Sequence, residues 1–272
     1  MALITKIQVQ KQSNERYNVY IDKGSGEEYG FSVDEYTLAK HGLRKGMEID
    51  ELELSAILYD EEVRKAYLQA VSYLSFQMRT KQEVEEFLRK KGAGPAVVAE
   101  AVSKLVQEAY INDQEYSVAY VRTQSNVGMK GPMLIRRELR AKGIQEDDII
   151  NSLHEYPKEK QIQNAIQLCE KKKKTYKNLS SLNIRKKLEE MLMRKGYDAS
   201  VVAAALEQLE DEEAPDEEWE ALQHQGRKYH ERYKKHDGWA YETKMKQSLY
   251  RKGFSLDSIE RLLQELKENQ WQ

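Results

Sequence analysis

Over the first sixty residues, apolar and polar positions follow a period of two. Leu3-Ile4-Thr5-Lys6-Ile7-Gln8-Val9-Gln10 alternates over its second half, and Tyr17-Asn18-Val19-Tyr20-Ile21 alternates throughout. Ser13-Asn14 separates these runs, Gly24-Ser25-Gly26 follows the second, and Tyr29-Gly30-Phe31-Ser32-Val33 supplies a third. Turn residues joining three period-two runs predict a small antiparallel meander. A short helix from Asp34 to His41 is expected to stop at Gly42, because glycine tolerates the left-handed backbone that ends helices.

From about Asp60 the period changes. Leu-x-x-Lys-Gly occurs four times, at Leu88 to Gly92, Leu139 to Gly143, Leu192 to Gly196 and Leu249 to Gly253, with glycines 51, 53 and 57 residues apart. Four residues before each leucine stand Val84, Ile135, Leu188 and Met245, the i, i+4 stripe of a helix that ends at the glycine. A second helix follows each glycine. Its apolar positions are Val98, Val102 and Leu105; Ile149, Leu153 and Tyr156; Val202, Leu206 and Leu209; and Ile259, Leu263 and Leu266. Gly94-Pro95, Asp198 and Ser255 suit the starts of these helices.

A further helix precedes each pair. Its buried face is read at Val63, Tyr67, Ala70 and Leu74 after Asp60, at Tyr116, Ala119 and Tyr120 after Asp113, and at Ile162, Ala165, Ile166 and Cys169 after Pro157. The fourth copy, Asp216 to Tyr233, is the loosest. The expected architecture is mainly α, with a β-rich segment over 1–59 and three-helix repeats over 60–110, 111–156, 157–214 and 215–272. Units of about fifty residues bury little surface alone. Stacking is therefore expected to join them into an elongated, curved array.

Composition narrows the function classes. The 272 residues are 33% charged, with a net charge of −2, but the charge is blocky: Lys171 to Lys174 is a run of four lysines and Glu210 to Glu220 is mostly acidic. The run reads as a solvated helix face and the acidic stretch as a connection between the third and fourth repeats. The single cysteine, Cys169, on the Ile162/Ile166 face, reads as a small buried side chain. It has no disulfide partner, which suits a reducing compartment, and the absence of a long apolar run and of a secretory leader pattern points to the cytoplasm. No phosphate-binding loop is present. His41, His154, His224, His230 and His236 form no helical zinc pair and read as surface residues. No catalytic residue, metal or cofactor is expected.

Basic residues are the better lead. Cations beside each glycine complement the negative end of a helix dipole, but that does not account for Lys130, Arg136 and Arg137 or for Lys186 and Lys187. Together with Arg140, Lys142, Arg194 and Lys195 they form the expected contact surface for phosphates or an acidic protein. The interleaved stretch Arg227-Lys228-Tyr229-His230-Glu231-Arg232-Tyr233 could serve a single-strand binder. Its tyrosines stand one turn apart, which favours packing.

The second repeat carries a specific resemblance. Ile111-Asn112-Asp113-Gln114-Glu115-Tyr116-Ser117-Val118-Ala119-Tyr120-Val121-Arg122, then Lys130-Gly131-Pro132 and Ile135-Arg136-Arg137-Glu138-Leu139-Arg140-Ala141-Lys142-Gly143-Ile144, resembles the RecX family, the regulatory proteins of the bacterial RecA recombinase. Ser117-Val118-Ala119 departs from the family, which often has Ala directly after Tyr. The opening strands, Lys45-Gly46 and the fourth repeat resemble the longer Gram-positive members. The resemblance implies a non-enzymatic, monomeric modulator that binds the RecA filament and inhibits its ATPase, strand-exchange and coprotease activities in DNA repair and the SOS response. It implies DNA, single- or double-stranded, as a further partner for several members, and it supplies no catalytic residues.

Overall fold

The computed structural model describes residues 1–11, 13–210, 215–236 and 238–268. Four strands, β1 (Ala2–Gln10), β2 (Ser13–Asp22), β3 (Glu27–Asp34) and β4 (Glu48–Ile49), form an antiparallel sheet in the order β3-β2-β1-β4. The three expected runs are there, and the two-residue β4 extends the sheet. β2 already begins at Ser13, so Ser13-Asn14 belongs to a strand and not to the turn. A register shift between Ile4 and Lys6 explains why alternation fails early in β1. The extra residue at Thr5 lets Ile4 and Ile7, three apart, both reach the core formed with Val19, Ile21, Phe31, Val33 and Ile49.

The short helix α1 (Glu35–Lys40) is capped by Asp34, whose side chain accepts from the Thr37 amide, and Gly42 follows with φ +59°. Helix α2 (Glu51–Leu74) begins earlier than the pattern suggested, so no break stands at residues 59–60. Its start is fixed by a capping box, in which Asp50 accepts from the Glu53 amide and Glu53 from the Asp50 amide. Asp60 is a mid-helix residue with partners at the end of α1. Lys40 and His41 reach its Oδ2 at 2.7 and 2.6 Å, so His41 is a paired side chain and not a free surface histidine. Burial would raise the Asp60 carboxyl, but these two hydrogen bonds outweigh it and hold it below the usual range. Glu61, nearly buried, meets Arg16 at 2.7 Å and accepts from the Asp34 amide, while Arg64 holds Asp34 at 2.8 Å.

The remaining helices among the described residues are α3 (Lys81–Lys90), α4 (Pro95–Gln107), α5 (Asp113–Asn126), α6 (Pro132–Ala141), α7 (Glu146–Leu153), α8 (Lys158–Lys173), α9 (Ser181–Arg194), α10 (Ala199–Glu210), α11 (Pro215–Tyr233), α12 (Gly238–Tyr250) and α13 (Leu256–Glu268). Residues 211–214 of the acidic stretch lie outside the described residues. The chain packs as two units. Met1–Tyr116 with Lys142–Ile144 make the first; Ser117–Ala141 with the residues from Gln145 onward make the second.

The repeated leucines are the centres of the helical cores: Leu88, Leu139, Leu192 and Leu249 are all fully buried, as are Val84, Ile135 and Met245. The repeated glycines have φ of +80° to +89°. In the first, third and fourth repeats, the amide after the glycine returns to the carbonyl of the leucine (Ala93 to Leu88, Tyr197 to Leu192, Phe254 to Leu249). This six-residue closure is a Schellman motif, which satisfies carbonyls a helix would otherwise leave open. Cys169 is buried as read, and its thiol is pushed up to about 11 by burial and by Glu170.

The face read for α5 needs correction. Ala119 is exposed, and the buried positions are Ser117, Val121 and Ser125. Small hydroxyl side chains that bond to backbone can sit where a helix is tightly covered: Ser117 Oγ donates to the Asp148 carbonyl and Ser125 Oγ to that of Arg122. An apolar count misses such a face.

A second role of the Lys-Gly pair appears where it meets the start of another helix. In the first unit, the Thr80 hydroxyl, which caps α3, donates to the Lys142 carbonyl at 2.9 Å, and Lys142 Nζ pairs with Glu83 at 2.7 Å. In the second unit, the Gly131 amide donates to the Lys195 carbonyl at 2.7 Å, and the Met133 amide to that of Gly196 at 3.0 Å. Near the end of the chain, Ser180 Oγ and Asn183 Nδ2 both donate to the Lys252 carbonyl. Within the second unit, each joint sets the amide end of one helix against the carbonyl end of another, a favourable pairing of dipoles. The joint at Gly196 also needs its glycine for space: a Cβ there would lie 2.4 Å from the Leu134 nitrogen.

Candidate functional site

The nine cations expected to form a contact surface fall into two groups. Five have their charge or stem engaged within the fold. Lys142 belongs to the first unit, where it pairs with Glu83 and stands 5.6 Å from the Tyr116 ring. Burial would lower its ammonium, but the hydrogen bonds to Glu83 and Tyr116 and the Glu83 charge together raise it above the usual lysine value. In the second unit Lys195 donates to the Gly128 carbonyl at 3.1 Å while its own carbonyl holds the joint. Lys130 binds both oxygens of Glu138, at 2.7 and 2.9 Å, and Glu138 also accepts from Tyr120. On α6, Arg136 and Arg140 close on Glu146 at the start of α7, each Nε at 2.6 Å. The hydrogen bonds from Arg140 and then Arg136 hold the Glu146 carboxyl below the usual range.

The other four point outward. Arg137, Lys186 and Arg194 are exposed and make no ion pair among the described residues. Lys187 is exposed too, and its ammonium stands 5.8 Å from the Tyr176 ring. The 131/195 joint presses the last turn of α9 on the first turn of α6, so Arg194 and the exposed Met133 flank one seam. Helical geometry explains the split: Arg136 and Arg140, one turn apart, face α7, while Arg137 is turned about 100° away.

The spacing of basic residues alone did not single out Tyr176. Lys172, within the lysine run, approaches its ring at 5.6 Å from the side of α8, while Lys187 does so from α9. A half-buried aromatic between two ammoniums is a cation–π arrangement. A cavity of about 420 Å³ adjoins it, lined by Lys173, Lys174 and Lys177 on one side and Glu217, Glu218 and Glu220 on the other. The interleaved stretch on α11 is packing, as its spacing suggested. The Tyr229 and Tyr233 rings stack at 6.0 Å, Tyr233 Oη meets Ser248, and His230 meets the Tyr241 hydroxyl at 2.8 Å.

Residues 2–50 match the model of the regulatory protein RecX N-terminal domain, and 66–105 and 112–153 match the first and second RecX three-helix domains. The third three-helix domain matches twice, over 159–206 and 216–263. The chain belongs to the RecX family. The regulatory protein RecX of Bacillus cereus (strain B4264) is 63% identical over 270 residues, covering 99% of this chain and all of that one. That of Bacillus cytotoxicus is 61% identical over 264 residues, covering 97% and 98%. A crystal structure of a regulatory protein RecX superposes with a TM-score of 0.67 at 36% identity, covering 75% of this chain and 98% of its own. RecX from Lactobacillus salivarius gives 0.54 at 32% identity, over 56% and 98%. The double match of the third-domain model marks the last two repeats of the chain as variants of one module. Among the described residues, no helix is long and apolar enough to cross a membrane.

Proposed function

We propose that this RecX-family protein acts without catalysis of its own, in the cytoplasm and as a monomer. It binds the RecA recombinase filament and inhibits its ATPase, strand-exchange and coprotease activities. Family membership supports the partner. The observation that carries the contact surface is the division of the cations: Arg137, Lys186 and Arg194 are exposed and without an ion pair among the described residues, beside residues whose charges are engaged within the fold. Exposed, uncompensated cations on helices anchored by buried leucines are suited to an acidic partner surface, since meeting it breaks no internal ion pair. ATP hydrolysis by RecA on single-stranded DNA, followed while this protein is added, tests the reading. Inhibition well below one copy per recombinase monomer is expected, and Arg137→Glu with Lys186→Glu and Arg194→Glu should remove it with the helical signal unchanged. Full inhibition by that triple variant would move the contact elsewhere.

Tyr176 with Lys172 and Lys187 favours a second reading, in which the protein holds DNA directly and competes with the recombinase for strands. An aromatic ring set among ammoniums suits base stacking and phosphate contact. Binding to single strands would then weaken with salt at a log–log slope of roughly 0.7 per phosphate contacted. Tyr176→Ala should weaken it further. A flat salt dependence would set the reading aside.

A further inference from the structure

Three of the four Lys-Gly ends are covered by the start of another helix, and the fourth is open. Gly92 has the same left-handed backbone, φ +89°, and the same closure of Ala93 on Leu88. Yet Lys91 and Gly92 are exposed, and among the described residues no atom lies within 4 Å of a Cβ built on Gly92. The Lys91 ammonium, the counterpart of Lys142, stands 5.6 Å from the ring of Phe87 and pairs with no carboxylate among the described residues. A cavity of about 140 Å³ opens beside Gly92 between Lys65, Gln69 and Val97. A shallower one of about 430 Å³ continues it over Leu68 and Phe87.

We propose that Lys91-Gly92 is the receiving half of an intermolecular joint: it takes the first turn of a helix from a partner protein, with Ser or Thr at the N-cap and Glu at the third helical position. The joints inside the chain define that chemistry. Carbonyls at a Lys-Gly end accept from an N-cap hydroxyl in two of three cases, Thr80 and Ser180. In the Thr80 joint the lysine that precedes the glycine also takes the carboxylate at the third position, Lys142 to Glu83, whereas in the Ser180 joint that position is Asn183, which donates to the Lys252 carbonyl. The open glycine leaves room for close approach of backbone, and Leu68 with Phe87 gives an apolar flank for the next turn of the incoming helix. A second copy of this chain is the poorer occupant. Thr80 and Ser180 are already engaged within the fold, and Ser255, which caps α13, has Ser258 and not Glu at the third position.

The probe is a hydrocarbon-stapled peptide of residues 78–91 of this chain, carrying Thr80 and Glu83, titrated into the full-length protein while the backbone amide resonances of Lys91, Gly92 and Ala93 are followed. Saturable shifts at these three amides are expected. Replacing Thr80→Val and Glu83→Gln in the peptide, or Lys91→Glu in the protein, should each weaken binding roughly tenfold, the loss of one or two charge-assisted or hydroxyl hydrogen bonds. No shift at Gly92 with millimolar peptide overturns the proposal. So does equal binding by the doubly substituted peptide, which would mean that the helix start is not being read.

Discussion

Lys195-Gly196 and Lys91-Gly92 end the middle helices of two repeats with the same backbone closure, the same sign of φ and the same buried leucine four residues before the glycine. They differ in what lies beyond. Gly196 is buried, with the start of α6 against it, whereas Gly92 faces solvent. The comparison separates two demands that a repeated motif conceals. Stopping a helix needs a residue at ease in the left-handed region, and every copy meets that need locally. Admitting another backbone at contact distance is a second need, imposed only where a neighbour arrives.

Substitution should pull these demands apart. Gly196→Ala meets both the left-handed strain and the Leu134 backbone, and should lower the unfolding free energy of its unit by about 2–5 kcal/mol. Gly92→Ala meets the first alone and should cost about 1–2 kcal/mol. Chemical denaturation of both variants reads the difference, and equal losses would mean that the joint contributes no steric demand.

The ionic side of a closed joint gives the next largest effect. Burial would raise the Glu83 carboxyl, but the bonds from Lys142 and the Thr80 amide, with the charges of Lys142 and Arg79, together hold it below the usual glutamate value. Its contribution is therefore fully present above the unfolded value of about 4.5 and is lost as pH falls through the lower folded value. For Lys142, raised when folded, the contribution persists up to about 10.5 and is lost at still higher pH. Glu83→Gln should cost about 1–2 kcal/mol at pH 7. Its thermal midpoint should converge on the parent's as pH falls from 5 to about 3. A constant gap across that range would show that the ion pair is not the source. Smallest of all, Lys91→Gln, at the open end, should shift the midpoint by no more than about 0.5 kcal/mol equivalent.

How much of this was legible beforehand depended on whether the cause was local. Leu88, Leu139, Leu192 and Leu249 and their glycines could be read because a helix stop and an i, i+4 stripe are written within eight residues. The α2 start was also local, in Asp50 and Glu53, but the change of period near Asp60 drew the boundary away from it. The buried face of α5 was hidden because Ser117 and Ser125 are polar by composition and satisfied only by their neighbours. The division of the cations was beyond reach for a similar reason. Whether Arg136 or Arg137 finds Glu146 depends on how α6 and α7 are packed, and basic spacing carries no record of the carboxylate that answers it. Tyr176 belongs to the same class, since its two lysines come from different helices.

Helix α2 carries a consequence of another kind. Its early turns place Ile57 in the sheet's core, and its later turns place Val63, Ala66 and Ala70 in the core of the first repeat. A rod of 24 residues anchored at both ends transmits stability between them. Amide protons of the central sheet strands and of α4 should therefore exchange with solvent through a shared opening event, as one foldon. Cutting the chain at residue 50 would remove the sheet while leaving Ile57, Glu61 and Arg64 stripped of their partners. The N-terminal segment is thus a co-folding clamp on the first repeat, and a protease that nicks it should loosen the first repeat as well.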